Sequence, residues 1–206
     1  MPPLSARFSE AFVYAATLHR DQTRKLSGVP YVAHLLAVAA TVLQYGGGEE
    51  EAIAGLLHDA VEDQGGEATS AEIARRFGDR VAEIVLECSD TTVTPKPPWR
   101  QRKEAYLARL KTASPSARLV KAADKLDNAR SLVLECRRLG DAVWSSFRGG
   151  REGTLWFFRS SLELLRGSCP AELIAELERT IAELEDVARP RPKWTLEARP
   201  YSVLWS

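Results

Sequence analysis

Apolar residues recur every three or four positions along most of the chain, the spacing that places them on one face of an α-helix. In the first such segment, Phe8, Phe12 and Ala15 share a face. Runs of β-branched residues with strict apolar–polar alternation are absent from the sequence, so we predict no β-sheet. The pattern predicts an all-α fold, a bundle of about eight to ten helices, over residues 5–19, 31–45, 49–62, 70–77, 79–88, from 99 onward, 114–139, 152–166 and 170–188.

Glycine and proline mark the breaks between these helices. Residues 46–48 are glycines that end the second helix, and the prolines within residues 95–98 cannot lie in a helix interior. The last segment, residues 189–206, combines proline with Trp and Tyr side chains. We predict one domain over residues 1–188 and an irregular tail over 189–206, whose aromatic residues pack on the domain or on a partner subunit.

The composition narrows the possible functions. The 206 residues include 28 Lys and Arg against 28 Asp and Glu, a net charge of zero, which argues against a general nucleic-acid or membrane-surface binder. The cysteines are widely spaced and odd in number, which indicates free thiols in a reducing compartment. No segment approaches the length of a membrane span, and the N-terminus lacks a signal-peptide pattern. We therefore expect a cytoplasmic protein with a small-molecule partner, and an oligomer is possible.

A cluster of polar residues follows the apolar stretch 52–57: His58, Asp59, Glu62 and Asp63. An imidazole and three carboxylates at the end of a buried segment are costly unless they have a partner. On one helix, His58 and Glu62 would lie one turn apart, as would Asp59 and Asp63. The position of the cluster predicts a divalent metal ion as that partner.

Two further residues strengthen this interpretation. His34 lies within an earlier apolar helix and Asp124 within a later one. Two imidazoles and two carboxylates form a mixed set that suits Mn, Fe, Co, Ni or Zn better than Ca. The alternative is that the His-Asp pair serves only as surface or helix-capping residues.

The order of these residues resembles that of the HD-domain metal-dependent phosphohydrolases. It is still more similar to the hydrolase domain of RelA/SpoT-type proteins and to its stand-alone form, the small alarmone hydrolases. The matching stretches run in the family's order, within about residues 8–166, and are residues 19–25, 30–34, 56–63 and 119–128. The resemblance implies an HD-domain helical bundle over residues 1–188 and a metal-dependent phosphohydrolase.

The resemblance also implies roles for individual residues. The family's substrate is guanosine tetra- or pentaphosphate, from which the 3′-pyrophosphate is removed to leave GDP or GTP, and its usual ion is Mn2+. The implied metal ligands are His34, His58, Asp59 and Asp124; Glu62 and Asp63 would orient or deprotonate the attacking water; and Arg24, Lys25, Lys96, Asn128 and Trp156 would bind the substrate.

The sequence departs from the family pattern around the substrate. Residues 91–103 differ in length and composition, Trp156 stands where a Tyr is expected, and Asp127 replaces a usual Tyr. Two alternatives therefore stay open: a phosphohydrolase for another nucleotide, such as a 3′-phosphorylated dinucleotide cofactor or a nucleoside monophosphate, and a non-catalytic nucleotide sensor. Glu62 and Asp63 argue against the sensor, because a binder needs no activated water.

Overall fold

The computed structural model describes residues 3–90, 95 and 97–189. Within these residues the regular secondary structure is entirely helical. This confirms the predicted all-α fold and the predicted number of about eight to ten helices. The α-helices are α1 (Ala6–Leu18), α2 (Val32–Gln44), α3 (Glu49–Leu57), α4 (Ala60–Asp63), α5 (Glu67–Phe77), α6 (Asp79–Cys88), α7 (Trp99–Leu110), α8 (Pro115–Leu139), α9 (Gly150–Leu165) and α10 (Ala171–Val187), with a 3-10 helix at Gly140–Ser146.

The predicted helix over residues 49–62 is wrong in one respect, because it is interrupted at His58 and Asp59. α3 ends at Leu57 and α4 begins at Ala60. The His58 imidazole Nδ1 hydrogen-bonds the Gly55 carbonyl oxygen at 2.8 Å, the acceptor that a continuing helix would offer to the Asp59 N–H. The His58 side chain thus takes the place of the Asp59 N–H as hydrogen-bond partner of the Gly55 carbonyl oxygen, and helix α3 ends there. The break directs His58 and Asp59 toward the same point.

Helix α8 lies between two hydrophobic cores. The first core contains residues of α1, α2, α3, α5 and α6, and the second contains residues of α7, α9 and α10. Adjacent helical residues point about 100° apart, so Ala123 packs in the first core while Ala122 and Leu126 pack in the second. Asp124 follows directly and is positioned where the two cores meet.

Helices α2 and α3 approach each other closely at Gly55. A Cβ atom at this position would lie 3.2 Å from the Ala39 Cα atom and 3.4 Å from the Ala39 nitrogen. Both neighbours are backbone atoms, which cannot rotate away, so glycine is needed for the contact. Because α2 carries His34 and α3 leads into His58, this contact also sets the distance between the two imidazoles.

Some predictions fall outside the described residues. Lys96 does so, as do residues 91–94 and nearly all of the tail over 189–206. The domain boundary at residue 188 and the packing of the tail therefore remain predictions. No helix in the described part of the chain combines the length and the apolar character needed to cross a membrane.

Replacing Gly55 with valine tests the close approach of α2 and α3. We expect Gly55→Val to lower the free energy of unfolding by about 1–3 kcal/mol, the usual effect of overpacking a filled core. Urea denaturation followed by circular dichroism measures it. The matched control is Ser9→Val, which adds the same side chain at an exposed position of α1. Equal stability of the two variants would contradict the close approach.

Candidate active site

The structure brings together the four side chains that the sequence predicted as metal ligands. His34 lies in α2, His58 and Asp59 lie at the break between α3 and α4, and Asp124 lies in α8. The His58 Nε2 atom is 3.0 Å from Asp59 Oδ2 and 3.7 Å from Asp124 Oδ1. The His34 Nε2 atom is 3.7 Å and 3.4 Å from the same two carboxylates. Ligands about 2.0–2.2 Å from one ion are separated by about this much.

Both imidazoles are oriented so that Nε2 is available to an ion. The Nδ1 atom of His34 is hydrogen-bonded to the Asp127 carboxylate at 2.6 Å, and that of His58 to the Gly55 carbonyl. Each Nε2 atom is buried without a hydrogen-bond partner. A neutral imidazole that donates through one nitrogen presents a lone pair on the other. His34, His58 and Asp59 also meet the distance requirement for a shared ion among the described residues.

Electrostatics favours protons on the imidazoles and charge on the carboxylates. Burial alone lowers the pKa of His34, but the nearby carboxylates of Asp124, Asp127 and Asp59 outweigh burial and raise that pKa to about 9. For Asp124, burial raises the pKa, but Lys125 and the imidazoles hold it well below its usual range. A proton and a divalent ion would compete for the same Nε2 atoms, so protonation of the imidazoles would oppose metal binding.

Two residues outside the predicted set hold the carboxylates in place. The Tyr31 hydroxyl donates to Asp59 Oδ2 at 2.5 Å, and the Lys125 ammonium donates to Asp124 Oδ2 at 2.7 Å. In each case the second partner restricts the rotation of a carboxylate that faces the imidazoles. Such supporting contacts fix the direction of the ligand lone pairs.

Glu62 and Asp63 lie one turn beyond the His-Asp pair but point differently. Glu62 lines the cavity that also exposes His58 and Asp59, and its Oε2 atom accepts a hydrogen bond from the Asp90 backbone N–H at 3.1 Å. Asp63 is exposed, and its Oδ2 atom accepts from the Gln22 amide at 2.9 Å. Glu62 is therefore the carboxylate of the two that faces the cavity directly.

The cavity has a volume of about 500 Å³, and several cations line it, among them Lys25, Arg102, Lys103 and Lys125. Several of them are paired with carboxylates: Arg102 and Lys103 contact Asp90 Oδ2 at 2.6 Å and 3.0 Å, and Lys125 contacts Asp124 Oδ2 at 2.7 Å. Lys25 reaches across and donates to the Ser146 carbonyl oxygen. Clustered cations beside a metal-type site are suited to a polyanionic ligand such as a phosphate ester.

A second cavity of about 460 Å³ adjoins the first and is more apolar. The two share lining residues, among them Lys25, Tyr31 and Asn128. Phe157 and Phe158 line the second cavity only. A ligand with a phosphorylated end and a flat apolar end would therefore match the charged and apolar cavities.

The loop between α1 and α2 positions Arg24 and Lys25. It is a tight hairpin in which the Arg24 N–H donates to the Val29 carbonyl oxygen at 2.8 Å and Gly28 takes a positive φ of 70°. The Arg24 guanidinium donates to the Asn128 side-chain oxygen at 3.0 Å. Three predicted substrate residues, Arg24, Lys25 and Asn128, thus line the second cavity.

Trp156, unlike Arg24, Lys25 and Asn128, does not line the cavities described above. The guanidinium of Arg100 covers the Trp156 ring at 3.4 Å from the ring centroid. The neighbouring Trp99, at 6.3 Å between ring centroids, lines both cavities. The role of Trp156 stays a prediction, as does that of Lys96, which lies outside the described residues.

Sequence reasoning missed several residues of the site. Tyr31 and Lys125 lie inside recognised stretches, so adjacency in sequence was a signal for both. Asp90 lies outside the recognised stretches. Asp127 also lies inside a recognised stretch, but nothing in the sequence indicated its contacts, because its partners Arg24 and His34 are distant in the chain. Such contacts emerge only from the packing of α2 and the loop against α8.

A family model described as "HD domain" matches residues 11–155 of this chain. The match spans all four candidate metal ligands and both candidate catalytic carboxylates. The chain belongs to the HD-domain family. The predicted resemblance is confirmed, and the helical architecture of this HD-domain protein agrees with it.

Curated relatives define the branch of the family more closely. The human guanosine-3′,5′-bis(diphosphate) 3′-pyrophosphohydrolase MESH1 is 37% identical over 147 residues, which are 70% of this chain and 77% of the relative. The corresponding Drosophila melanogaster protein is 37% identical over 131 residues, covering 62% of this chain and 70% of the relative. A guanosine-3′,5′-bis(diphosphate) 3′-pyrophosphohydrolase of Aquifex aeolicus is 34% identical over 134 residues, which are only 18% of its length.

Solved structures of similar proteins superpose on this chain. One, described as a metazoan ortholog of SpoT that hydrolyzes ppGpp and plays a role in starvation responses, superposes with a TM-score of 0.75 at 30% identity, covering 89% of this chain and 98% of that one. A second, lmo0812 from Listeria monocytogenes EGD-e, has a TM-score of 0.63 at 30% identity, covering 76% and 99%.

Lys121 places a buried ammonium group in the wall of the site. Its side chain is buried, and its Nζ atom has no hydrogen-bond partner among the described residues, although it lies 4.2 Å from the Tyr106 ring centroid. Burial lowers the pKa of Lys121 to about 8. Because the folded pKa is below the unfolded one, the unfolded chain binds more protons between about pH 8 and its ordinary pKa of about 10.4, and stability rises with pH in that window.

We expect Lys121→Met to raise the free energy of unfolding at pH 7 by roughly 1–3 kcal/mol, since a buried ammonium is replaced by an apolar chain of similar length. The gain should shrink at pH 10, where the native lysine is neutral. Urea titrations of both proteins at pH 7 and pH 10 measure the difference. A loss of stability at pH 7 in Lys121→Met would mean that the ammonium is well paired.

Proposed function

We propose that this HD-domain protein hydrolyses guanosine 3′,5′-bis(diphosphate) and its 5′-triphosphate form, with release of pyrophosphate from the 3′ position to leave GDP or GTP. The observation that carries the proposal is the pair of buried, unpartnered Nε2 atoms facing two carboxylates at a cation-lined cavity. The names of relatives at 37% identity support the choice of substrate. Water is the second reactant, and cytoplasm is the proposed location.

The residues proposed to hold the divalent ion are His34, His58, Asp59 and Asp124. Two imidazoles and two carboxylates suit a transition metal, and we propose Mn2+. When bound, the ion lowers the pKa of a water molecule and offsets negative charge on the phosphoryl group. The ligands come from three parts of the chain that pack against one another, so the folded bundle presents them together.

Glu62 is the residue proposed to accept a proton from the attacking water. Its carboxylate faces the cavity and is oriented by the Asp90 N–H. A positioned carboxylate of this kind contributes through general-base catalysis. Asp63 acts from the exposed side, where its bond to Gln22 braces the start of the loop that carries Arg24 and Lys25. We propose that it supports the same step with a smaller contribution.

The proposed substrate fits the pair of cavities better than a nucleoside monophosphate does. The 3′-pyrophosphate requires several cations close to the ion, and the first cavity offers Lys25, Lys103 and Arg102. The guanine requires a flat, mostly apolar space beside hydrogen-bonding groups, and the second cavity combines Phe157 with Asn128. We also propose that Lys96, which lies outside the described residues, contacts a phosphate of the substrate.

The decisive experiment incubates the protein and Mn2+ with guanosine tetraphosphate, a guanosine 3′-monophosphate and a 3′-phosphorylated dinucleotide cofactor in parallel. We expect GDP and pyrophosphate from the first, resolved by anion-exchange chromatography, at a kcat/KM at least about 10-fold above that for the other two, because one charged hydrogen bond contributes about 1.5–3 kcal/mol. His58→Ala should contain no bound Mn2+ and form no product. Preference for either other nucleotide would instead support a phosphohydrolase of different specificity.

The second experiment separates metal binding from proton transfer. We expect Glu62→Gln to keep bound Mn2+ and KM but to lower kcat by about 100-fold or more, the usual loss with a general base. Asp63→Asn should keep the metal and show a smaller fall in kcat. Metal content by elemental analysis and steady-state kinetics measure both. Wild-type kcat in the two variants would show that these carboxylates do not activate the water.

A further inference from the structure

Asp127 lies between the candidate metal ligand His34 and the loop that carries Arg24. It lies in α8, three residues after Asp124. One of its oxygen atoms, Oδ2, accepts from the His34 Nδ1–H at 2.6 Å and from the Arg24 guanidinium at 3.3 Å. The Asp127 side chain is 23% exposed and that of His34 is 1% exposed. A single carboxylate oxygen therefore joins α8 to both α2 and the hairpin loop.

We propose that Asp127 is a positioning residue that orients His34 for the metal ion and holds Arg24 for the nucleotide. The proposal has two halves. The role toward Arg24, the nucleotide half, rests on the proposed function, whereas the role toward His34, the metal half, rests only on the cluster of His34, His58, Asp59 and Asp124. Nothing in the sequence pattern assigned either role to this residue.

The metal half follows from the hydrogen bond to His34. A carboxylate that accepts from Nδ1–H fixes the tautomer with the lone pair on Nε2, holds the ring plane, and increases the basicity of the ligand. His58 obtains the same orientation from the neutral Gly55 carbonyl. Of the two imidazoles, His34 is thus the one whose orientation depends on a charged side chain and can be changed by substitution.

The nucleotide half follows from the contact with Arg24. The guanidinium donates to Asp127 and to Asn128 through different nitrogens, so two neighbouring residues of α8 fix its plane. Without Asp127, Arg24 would keep one partner and gain freedom to rotate. A side chain held in place before binding loses less conformational entropy when the nucleotide binds.

The metal half is tested by titrating Mn2+ into the metal-depleted full-length protein by calorimetry, without any nucleotide. We expect Asp127→Asn and Asp127→Ala to raise the Kd for Mn2+ by about 10- to 100-fold, with unchanged stoichiometry at saturation. The control, Asp186→Asn, makes the same change at an exposed position, where the Asp186 carboxylate lies 3.5 Å from the Arg189 guanidinium, and it should bind Mn2+ like the wild type. Urea titration of each variant in excess chelator verifies that the fold is kept.

The nucleotide half is tested at saturating Mn2+ with Arg24→Ala, Asp127→Asn and the double variant. Because Asp127 acts on the nucleotide through Arg24, we expect Asp127→Asn to raise KM about 3- to 10-fold, and to raise it no further once Arg24 is absent. A wild-type Kd for Mn2+ in Asp127→Asn, or fully additive effects in the double variant, would overturn the proposal. If the wild type fails to hydrolyse guanosine tetraphosphate but Asp127→Asn still weakens Mn2+ binding, the function fails and the metal half stands.

Discussion

The structure depends on the burial of charge where α2, α3 and α8 meet. Two imidazoles and two carboxylates approach within 3.0–3.7 Å of each other, and both imidazoles are buried. Buried charges are tolerated when they are paired and hydrogen-bonded, and otherwise they destabilise a fold by several kcal/mol. Every ligand candidate meets this condition through a second contact: Tyr31 for Asp59, Lys125 for Asp124, Asp127 for His34 and the Gly55 carbonyl for His58.

The fold can be understood as a way to present this cluster. Helix α8 serves two cores at once, which places Asp124 at their junction rather than inside either. The glycine at position 55 brings α3 against α2, and its carbonyl oxygen then ends α3 by accepting from His58. One residue therefore sets both the distance between the imidazoles and the turn that lets adjacent His58 and Asp59 face the same point.

The parts of the site that could be predicted from sequence are those in which chemistry and local spacing coincide. His58 and Asp59 follow a buried apolar run, and His34 and Asp124 interrupt apolar helices, so each was conspicuous by itself. The break in the helix at residue 58 was not predictable, because it results from a side-chain bond to a carbonyl rather than from glycine or proline. Asp127 was noticed only as a departure from the family's usual Tyr, and its role was not predictable because its partners, His34 and Arg24, are distant in the chain.

Two cations of the first cavity, Arg102 and Lys103, already have a carboxylate partner within the protein. Lys103 and Arg102 share Asp90, and burial lowers the pKa of Lys103 even with that partner nearby. A phosphate of the proposed substrate that contacts these cations would compete with Asp90, and the net gain in binding free energy would be the difference between two charge-assisted contacts. Asp90 also gives its backbone N–H to Glu62. Asp90 thus pairs with Arg102 and Lys103 and also orients Glu62, the carboxylate proposed as the base. We therefore expect changes in the phosphate contacts and in proton transfer to occur together.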